Sequence, residues 1–301
     1  MSKGEIKNSI FCVLADSLRI YFSNIDKFVL YMLFPVFGQV VGITLAFLMT
    51  VGLADKIAQR ATSLSSSLLL ILLLAIPGLL IFIKAFWDYM IAYVALNSMT
   101  EGALITGKVY DFQSHREVAT RRSFQFIGLL CVVGVLGAIG TSIFFIIPAS
   151  ILFVYLILIF QVFTFEPELS IKECFIRSFN LIKGDWLRTA LLGLILVFFT
   201  IFLITEGVTV IFDYLNLAEP ASHLFEFATN HIPLDEVNKG LVHFGKSIIT
   251  PTTISNWIFY SVLSMIVAGL TLPVRSICWT LWYANLSEIK NGKKKSKKEQ
   301  E

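Results

Sequence analysis

The stretch "EPELSIKECFIRSFNLIKGDW" (residues 166–186) is a charged segment between two long apolar ones, and it decides how the chain is organised. Its apolar residues recur at spacings of three and four, which predicts an amphipathic helix. The predicted apolar face comprises Ile171, Phe175, Phe179, Ile182 and Trp186. The opposite face comprises Lys172, Glu173, Arg177, Asn180 and Lys183. Such a helix is typical of a membrane interface, where one face enters the acyl boundary and the other meets headgroups.

The start of this helix carries its own signal. Ser170 and Glu173 have the spacing of a capping box, in which the serine hydroxyl and the glutamate carboxylate satisfy each other's backbone N–H groups. Glu173 and Arg177 are one turn apart and are expected to form an ion pair.

Similar helix-start sequences occur twice more in the chain. "SHREVATRRSF" repeats the capping box with Ser114 and Glu117, and Arg121 stands where the ion-pair partner is expected. Near the N-terminus Ser9 aligns with Ser170, although Cys12 takes the place of the capping glutamate. We therefore expect three interfacial helices.

The composition indicates a membrane protein. Of 301 residues, 56% are hydrophobic and only 15% are charged, against roughly 25% charged residues in ordinary soluble domains. A spanning helix needs about 20 apolar residues, and six segments meet or approach that length. They are 28–52, 67–99, 123–145, 148–165, 187–212 and 253–287. No cleavable signal peptide is recognisable, so the first span is expected to remain as an anchor.

The distribution of lysine and arginine predicts the orientation. One side of the six-span scheme collects Lys3, Lys7, Arg19, Lys27, Lys108, Arg116, Arg121, Arg122, Lys172, Arg177, Lys183, Arg188, Lys290, Lys293, Lys294, Lys295, Lys297 and Lys298. The other side has Lys56, Arg60, Lys239 and Lys246. The positive-inside rule then places both termini in the cytoplasm. The membrane that we expect is the plasma (inner) membrane.

The helices that close the predicted units are also similar. "WDYMIAYVALNSMTEG" and "CWTLWYANLSEIKNG" align Tyr93 with Tyr283, and Phe163 takes that place in the middle unit. The prediction is an all-α, single transmembrane domain of six helices. It is built as three hairpin repeats (about 9–102, 112–166 and 168–289), each preceded by a cytoplasmic amphipathic helix, with a basic cytoplasmic tail at 290–301.

A family resemblance rests on these residues. The segment from Pro148 through Glu166 to Trp186 resembles the central signature of the six-helix membrane region of some glycerophosphodiester phosphodiesterases and of related bacterial integral membrane proteins. The resemblance implies a membrane module connected with lipid metabolism or envelope upkeep. Nothing in the chain resembles the soluble phosphodiesterase barrel with its acidic metal ligands, so hydrolysis is not implied.

Four ionisable residues inside the predicted spans form a candidate polar site, because such residues are costly in a bilayer. They are Lys84, Asp88, Glu206 and Arg275. One interpretation is that Lys84 pairs with Asp88, or reaches the interface, and so serves packing. The alternative is a pathway for a lipid or small molecule, as in a transporter.

The basic residues beside the interfacial helices are candidate contacts for anionic inner-leaflet headgroups. They are Lys172, Arg177, Lys183, Arg121, Arg122, Lys293, Lys294 and Lys295. The partners we expect are therefore membrane lipids, and nucleic acid is not expected to bind.

The segment from Asp213 to about Thr252 contains His223, His231 and His243, whose spacings match no common metal-ligand motif. It is expected to form short amphipathic helices, with a protein docking site as the alternative.

The chain has no CxxC pair among its four cysteines, which are Cys12, Cys131, Cys174 and Cys278. With no G-x-S-x-G, P-loop, G-x-G-x-x-G or H-E-x-x-H motif, neither an enzyme nor a cofactor is predicted. The expected function is a non-enzymatic accessory or scaffold protein of the membrane.

Overall fold

The computed structural model describes residues 9–106, 109, 117, 122–143 and 146–298. These residues form helices joined by turns and short loops, and no β-strand occurs among them. The all-α prediction is confirmed for this part of the chain.

The helices follow one another closely along the chain. They are α1 (Ile10–Ser23), α2 (Ile25–Thr50), α3 (Ala54–Arg60), α4 (Leu64–Thr106), α5 (Ser123–Ile143), α6 (Ile146–Leu156), α7 (Ile159–Phe165), α8 (Ile171–Ile182), α9 (Trp186–Val197), a π-helix (Phe198–Leu203), α10 (Ile204–Tyr214), α11 (Ala218–Thr229), α12 (Asp235–His243), α13 (Pro251–Leu270) and α14 (Leu272–Lys298). Pro35 and Pro77 lie inside α2 and α4, which continue through them.

Four helical segments are long and apolar enough to cross a bilayer. They are Ile25–Thr50, Leu64–Ile105, Trp186–Tyr214 and Pro251–Ile289, and they coincide with the first, second, fifth and sixth predicted spans. The third and fourth predicted spans correspond to α5 and to α6 with α7. Their described apolar parts are shorter, at Phe124–Ala138 and Ser150–Phe165. The length and composition of four helices therefore mark this as a membrane protein.

The described residues divide into two compact units. The first unit lies within Met1–Tyr31, Met90–Thr200 and Thr271–Glu301, and the second within Met32–Tyr89 and Ile201–Leu270. In the first unit, large side chains from α4, α5, α7, α8 and α14 form the interior. Those fully buried include Leu96, Met99, Phe126, Leu158, Phe163, Leu181, Ile182 and Trp282.

Helices α1 and α8 bury the same register of residues. When Ser9 is aligned with Ser170, the buried residues Val13, Ser17 and Tyr21 coincide with Cys174, Ser178 and Ile182. Helix α1 packs on α14, and α8 packs on α6 and α7. In both helices a serine occupies the centre of the buried face, and its short side chain lets the neighbouring helix approach closely.

Two close helix contacts build the second unit. Gly42 on α2 faces Gly78 and Phe82 on α4, and a Cβ placed on Gly42 would lie 2.5 Å from the Phe82 nitrogen. Elsewhere in this unit, Phe225 of α11 packs with Phe259 and Leu263 of α13, and Phe212 of α10 lies against them. This apolar cluster fixes α10, α11 and α13 relative to one another.

Candidate functional site

Helix α8 begins with the predicted capping box. The Ser170 backbone N–H donates to Glu173 Oε2 at 2.8 Å, and the Ser170 hydroxyl accepts from the Glu173 backbone N–H at 3.4 Å. The Ser170 hydroxyl also donates to the same carboxylate at 2.6 Å. These hydrogen bonds hold the pKa of Glu173 below its usual value. The capping-box prediction is confirmed.

The predicted ion pair between Glu173 and Arg177 is wrong. Arg177 Nε instead donates to both carboxylate oxygens of Glu166, at 2.8 and 3.1 Å. Tyr283 on α14 donates its hydroxyl proton to the same carboxylate at 2.8 Å. Because Glu173 is engaged at the helix start, Arg177 takes the carboxylate that the loop before α8 provides. The result joins α7, α8 and α14 through one half-buried acid.

The face of α8 that packs on the protein differs from the predicted apolar face. Cys174, Ser178, Leu181 and Ile182 are buried, and the Ser178 hydroxyl donates to the Tyr155 carbonyl at 2.9 Å. Phe179, on the predicted apolar face, is 41% exposed, and that face was expected to enter the acyl boundary of the membrane. Small residues are preferred at this contact because they let the helices approach closely. The burial of Cys174 raises its thiol pKa, against the opposing effect of the Arg122 charge.

One strip of α8 therefore remains exposed, and it carries both apolar and cationic side chains. Ile176 is 51% exposed and Phe179 lies beside it, stacked on Tyr155 with ring centroids 4.4 Å apart. Lys172 and Lys183 are also exposed on this helix. The exposed surface combines the two properties that favour an anionic membrane interface.

Arg122, a predicted headgroup contact, has partners within the protein. Its guanidinium donates to the carbonyls of Phe163 and Leu169, both at 2.9 Å, and lies 4.3 Å from the centre of the Phe163 ring. It thus satisfies carbonyl groups at the end of α7 and in the loop before α8. Arg121 and the side chains of Lys293, Lys294 and Lys295 lie outside the described residues, so their predicted headgroup contact stays a prediction.

The candidate intramembrane site brings two of its four residues together. Lys84 and Asp88 form an ion pair one turn apart on α4, and the Lys84 ammonium also lies 5.7 Å from the Phe34 ring centre. Glu206 is exposed in the first turn of α10. Lys84, Asp88 and Glu206 belong to the second unit. The expected Lys84–Asp88 pair is present.

Arg275 belongs to the first unit and lies beside the π-helix. Its Nη1 donates to the hydroxyls of Thr200 at 3.2 Å and of Thr271 at 3.4 Å. The Thr271 hydroxyl in turn donates to the Thr200 carbonyl at 3.4 Å. A π-helix disturbs the regular hydrogen bonding between backbone groups of a helix. Here Arg275 and Thr271 donate hydrogen bonds to the hydroxyl and the carbonyl of Thr200, which lies in the π-helix.

A buried polar network in the first unit was not predicted. Asn97 Oδ1 accepts from Ser276 at 2.7 Å, from Gln161 Nε2 at 3.3 Å and from Thr280 at 3.4 Å. Asn97 Nδ2 donates to Thr164 at 3.3 Å. This amide therefore connects α4, α7 and α14. The available signal was an amide residue within an otherwise apolar span, but the sequence did not indicate its partners.

Among the residues that the structure describes, no three His, Cys, Asp or Glu side chains are grouped so that they could hold a metal ion. Two of the described histidines instead lie against single carboxylates: His223 contacts Glu226 at 2.8 Å, and His231 contacts Asp55 at 3.0 Å.

A comparison with known proteins found no match: the chain matches no protein-family model, no curated protein and no solved structure.

Proposed function

We propose that this chain is a non-enzymatic, multi-pass membrane protein that holds anionic lipid headgroups along α8 and serves as an accessory or scaffold module. The observation that carries the proposal is the surface of α8. One face of this helix is fixed to the first unit, while Ile176, Phe179, Lys172 and Lys183 remain exposed. A helix held rigidly in this way can offer lysines to headgroups without ordering itself on contact.

The proposal includes six spans. Helix α5 has 21 residues, and α6 with α7 continues as far as Phe165, so these two segments supply the third and fourth spans. The matching burial of α1 and α8 supports a repeated unit, in which each interfacial helix precedes a transmembrane hairpin. The excess of lysine and arginine around α1 and α8 supports a cytoplasmic location for both helices and both termini, in an inner membrane.

The resemblance of Pro148–Trp186 to the membrane region of glycerophosphodiester phosphodiesterases supports a connection with lipid or envelope homeostasis. The ion pair of Lys84 with Asp88 favours the packing interpretation of those residues over the transport alternative. A paired lysine and aspartate present little net charge to a passing substrate.

The test measures lipid preference of the purified full chain. We expect phosphatidylglycerol to bind more tightly than phosphatidylcholine, as measured by native mass spectrometry in a mild detergent. In Lys172→Gln/Lys183→Gln this preference should fall about 30-fold, because each lysine near a headgroup contributes about 1 kcal/mol.

The matched control is Lys239→Gln/Lys246→Gln, which removes two exposed lysines from α12 and the loop after it. This control should keep the full preference for phosphatidylglycerol. An unchanged preference in the α8 variant, or an equal loss in the control, would contradict the proposal.

A further inference from the structure

An open cavity of about 340 Å³ lies in the second unit, between the end of α10, the start of α11 and the first half of α13. Its lining residues are Asp213, Asn216, Ala218, Glu219, Ser222, His223, Thr252, Asn256 and Tyr260. The volume is at the lower end of the roughly 300–1,000 Å³ of small-molecule sites. It suits a ligand of about the size of a monosaccharide.

The local backbone gathers these side chains. Helix α10 ends at Tyr214, and Asn216 adopts a left-handed conformation with φ of 53°, which asparagine tolerates better than most residues. The Leu217 N–H then donates to the Phe212 carbonyl at 2.9 Å. This turn brings Asp213, at the end of one helix, next to Glu219 in the first turn of the following helix.

Helix α13 forms the opposite wall. Thr252, Asn256 and Tyr260 are spaced four apart and so share one face of the helix. Phe259, the neighbour of Tyr260, packs with Phe225 of α11. The apolar cluster beneath the cavity therefore fixes both walls, and the site does not need to be assembled by its ligand.

The charges of the cavity are unbalanced. Tyr260 donates its hydroxyl proton to Asp213 Oδ1 at 2.6 Å, which leaves Oδ2 available. His223 Nδ1 contacts Glu226 at 2.8 Å, so the imidazole already has a carboxylate partner. No lysine or arginine is among the lining residues. The carboxylates of Asp213 and Glu219 consequently favour a ligand that brings a positive charge.

The other lining groups indicate what else this ligand carries. The side-chain amides of Asn216 and Asn256 and the hydroxyl of Thr252 can both donate and accept hydrogen bonds. The described residues hold no triad of metal-ligating side chains here or elsewhere, which argues for an organic cation over a metal ion.

We propose that this cavity binds a small amine that also carries hydroxyl groups, of which an amino sugar is the example. The ammonium lies against Asp213 and Glu219, and the hydroxyls face Asn216, Asn256 and Thr252. This site is separate from the lipid surface of α8 and does not depend on the lipid proposal.

The test compares protonated D-glucosamine with D-glucose, which has the same ring and a hydroxyl in place of the ammonium. Binding to the purified full chain in detergent is measured by isothermal titration calorimetry. We expect glucosamine to bind at least about tenfold more tightly, because a charge-assisted hydrogen bond is about twice as strong as a neutral one.

Two variants test whether the preference for glucosamine comes from the carboxylates of the cavity. Glu219→Gln and Asp213→Asn should each reduce the affinity for glucosamine about tenfold and reduce the affinity for glucose much less, because glucose brings no positive charge to the lost carboxylate. Asparagine at 213 keeps an oxygen that can accept from Tyr260, and Glu219 is exposed, so both proteins should fold. The control Glu236→Gln removes an exposed carboxylate from α12, outside the cavity lining, and should bind glucosamine like wild type.

Equal affinity for the two sugars, or no binding of either, would overturn the proposal. An equal loss in Glu236→Gln would also overturn it, since that result would indicate general charge attraction. Thermal unfolding of each variant in the same detergent verifies that an affinity change does not come from unfolded protein.

Discussion

The contact between α2 and α4 allows a quantitative prediction, because it has no space for a side chain. A Cβ on Gly42 would lie 2.5 Å from the backbone nitrogen of Phe82 and 2.8 Å from the carbonyl oxygen of Gly78. A Cβ on Gly78 would lie 2.5 Å from the nitrogen of Ala46. Both neighbours are backbone atoms of a helix, so no rotamer change can relieve the overlap. Gly42→Ala therefore has to push the two helices apart.

The cost follows from that separation. Ordinary van der Waals contacts of a Cβ lie at 3.4–4 Å, so the helices must move by about 1 Å, and the contacts around Gly42 loosen together. Overpacking of this kind costs about 1–3 kcal/mol. Alanine regains up to about 1 kcal/mol of helix propensity over glycine. We expect a net loss of up to about 2 kcal/mol in the free energy of unfolding.

The assay is reversible unfolding of the full chain in mixed detergent micelles, with Gly207→Ala as the matched control. Gly207 lies on α10, and a Cβ there would meet nothing within 4 Å. The control should therefore be as stable as wild type or more stable by up to about 1 kcal/mol. If Gly42→Ala is as stable as Gly207→Ala, the close approach of α2 and α4 is not as described.

Two further predictions concern carboxylates outside the spans. Glu166→Gln weakens the contact with Arg177 and should lower the free energy of unfolding by about 1.5–3 kcal/mol in the same assay. Glu168→Gln, at an exposed position two residues later, should leave it unchanged, and equal effects of the two would contradict the described contact. The hydrogen bond that the His223 imidazole donates to Glu226 raises the pKa of His223. The pair therefore stabilises the fold below the usual histidine pKa of about 6.5 and loses this effect as pH rises through the raised value. In Glu226→Gln, NMR titration should show the His223 pKa falling towards its usual value, and an unchanged pKa would show that the pair does not form.

The sequence alone determined the helical class and the cap at the start of α8. The capping box of Ser170 and Glu173 was predictable because both partners lie within one helical turn, where the backbone fixes their distance. The Lys84–Asp88 pair was predictable for the same reason. The four long spans followed from the number of consecutive apolar residues, which needs no knowledge of neighbours.

Only the tertiary structure decided which partners meet across the chain. Arg177 pairs with Glu166 because the loop before α8 turns back towards the helix, and Glu173 is already engaged at the cap. The buried face of α8 includes the small residues Cys174 and Ser178, and the periodicity of the apolar residues did not indicate that this face packs against protein. In a membrane, large apolar side chains can remain exposed to lipid, so hydrophobicity does not reveal which face packs against protein.

The Asn97 network and the cavity beside Asp213 were likewise decided by the tertiary structure. Each gathers polar side chains from helices that are distant in sequence, and each side chain by itself is an ordinary residue for its segment. The composition of a span or loop determines whether it enters the bilayer, because the free energy of transfer from water to lipid is summed over the residues of the segment. The position of a polar site depends on how the helices pack, because hydrogen bonds act only over about 3 Å.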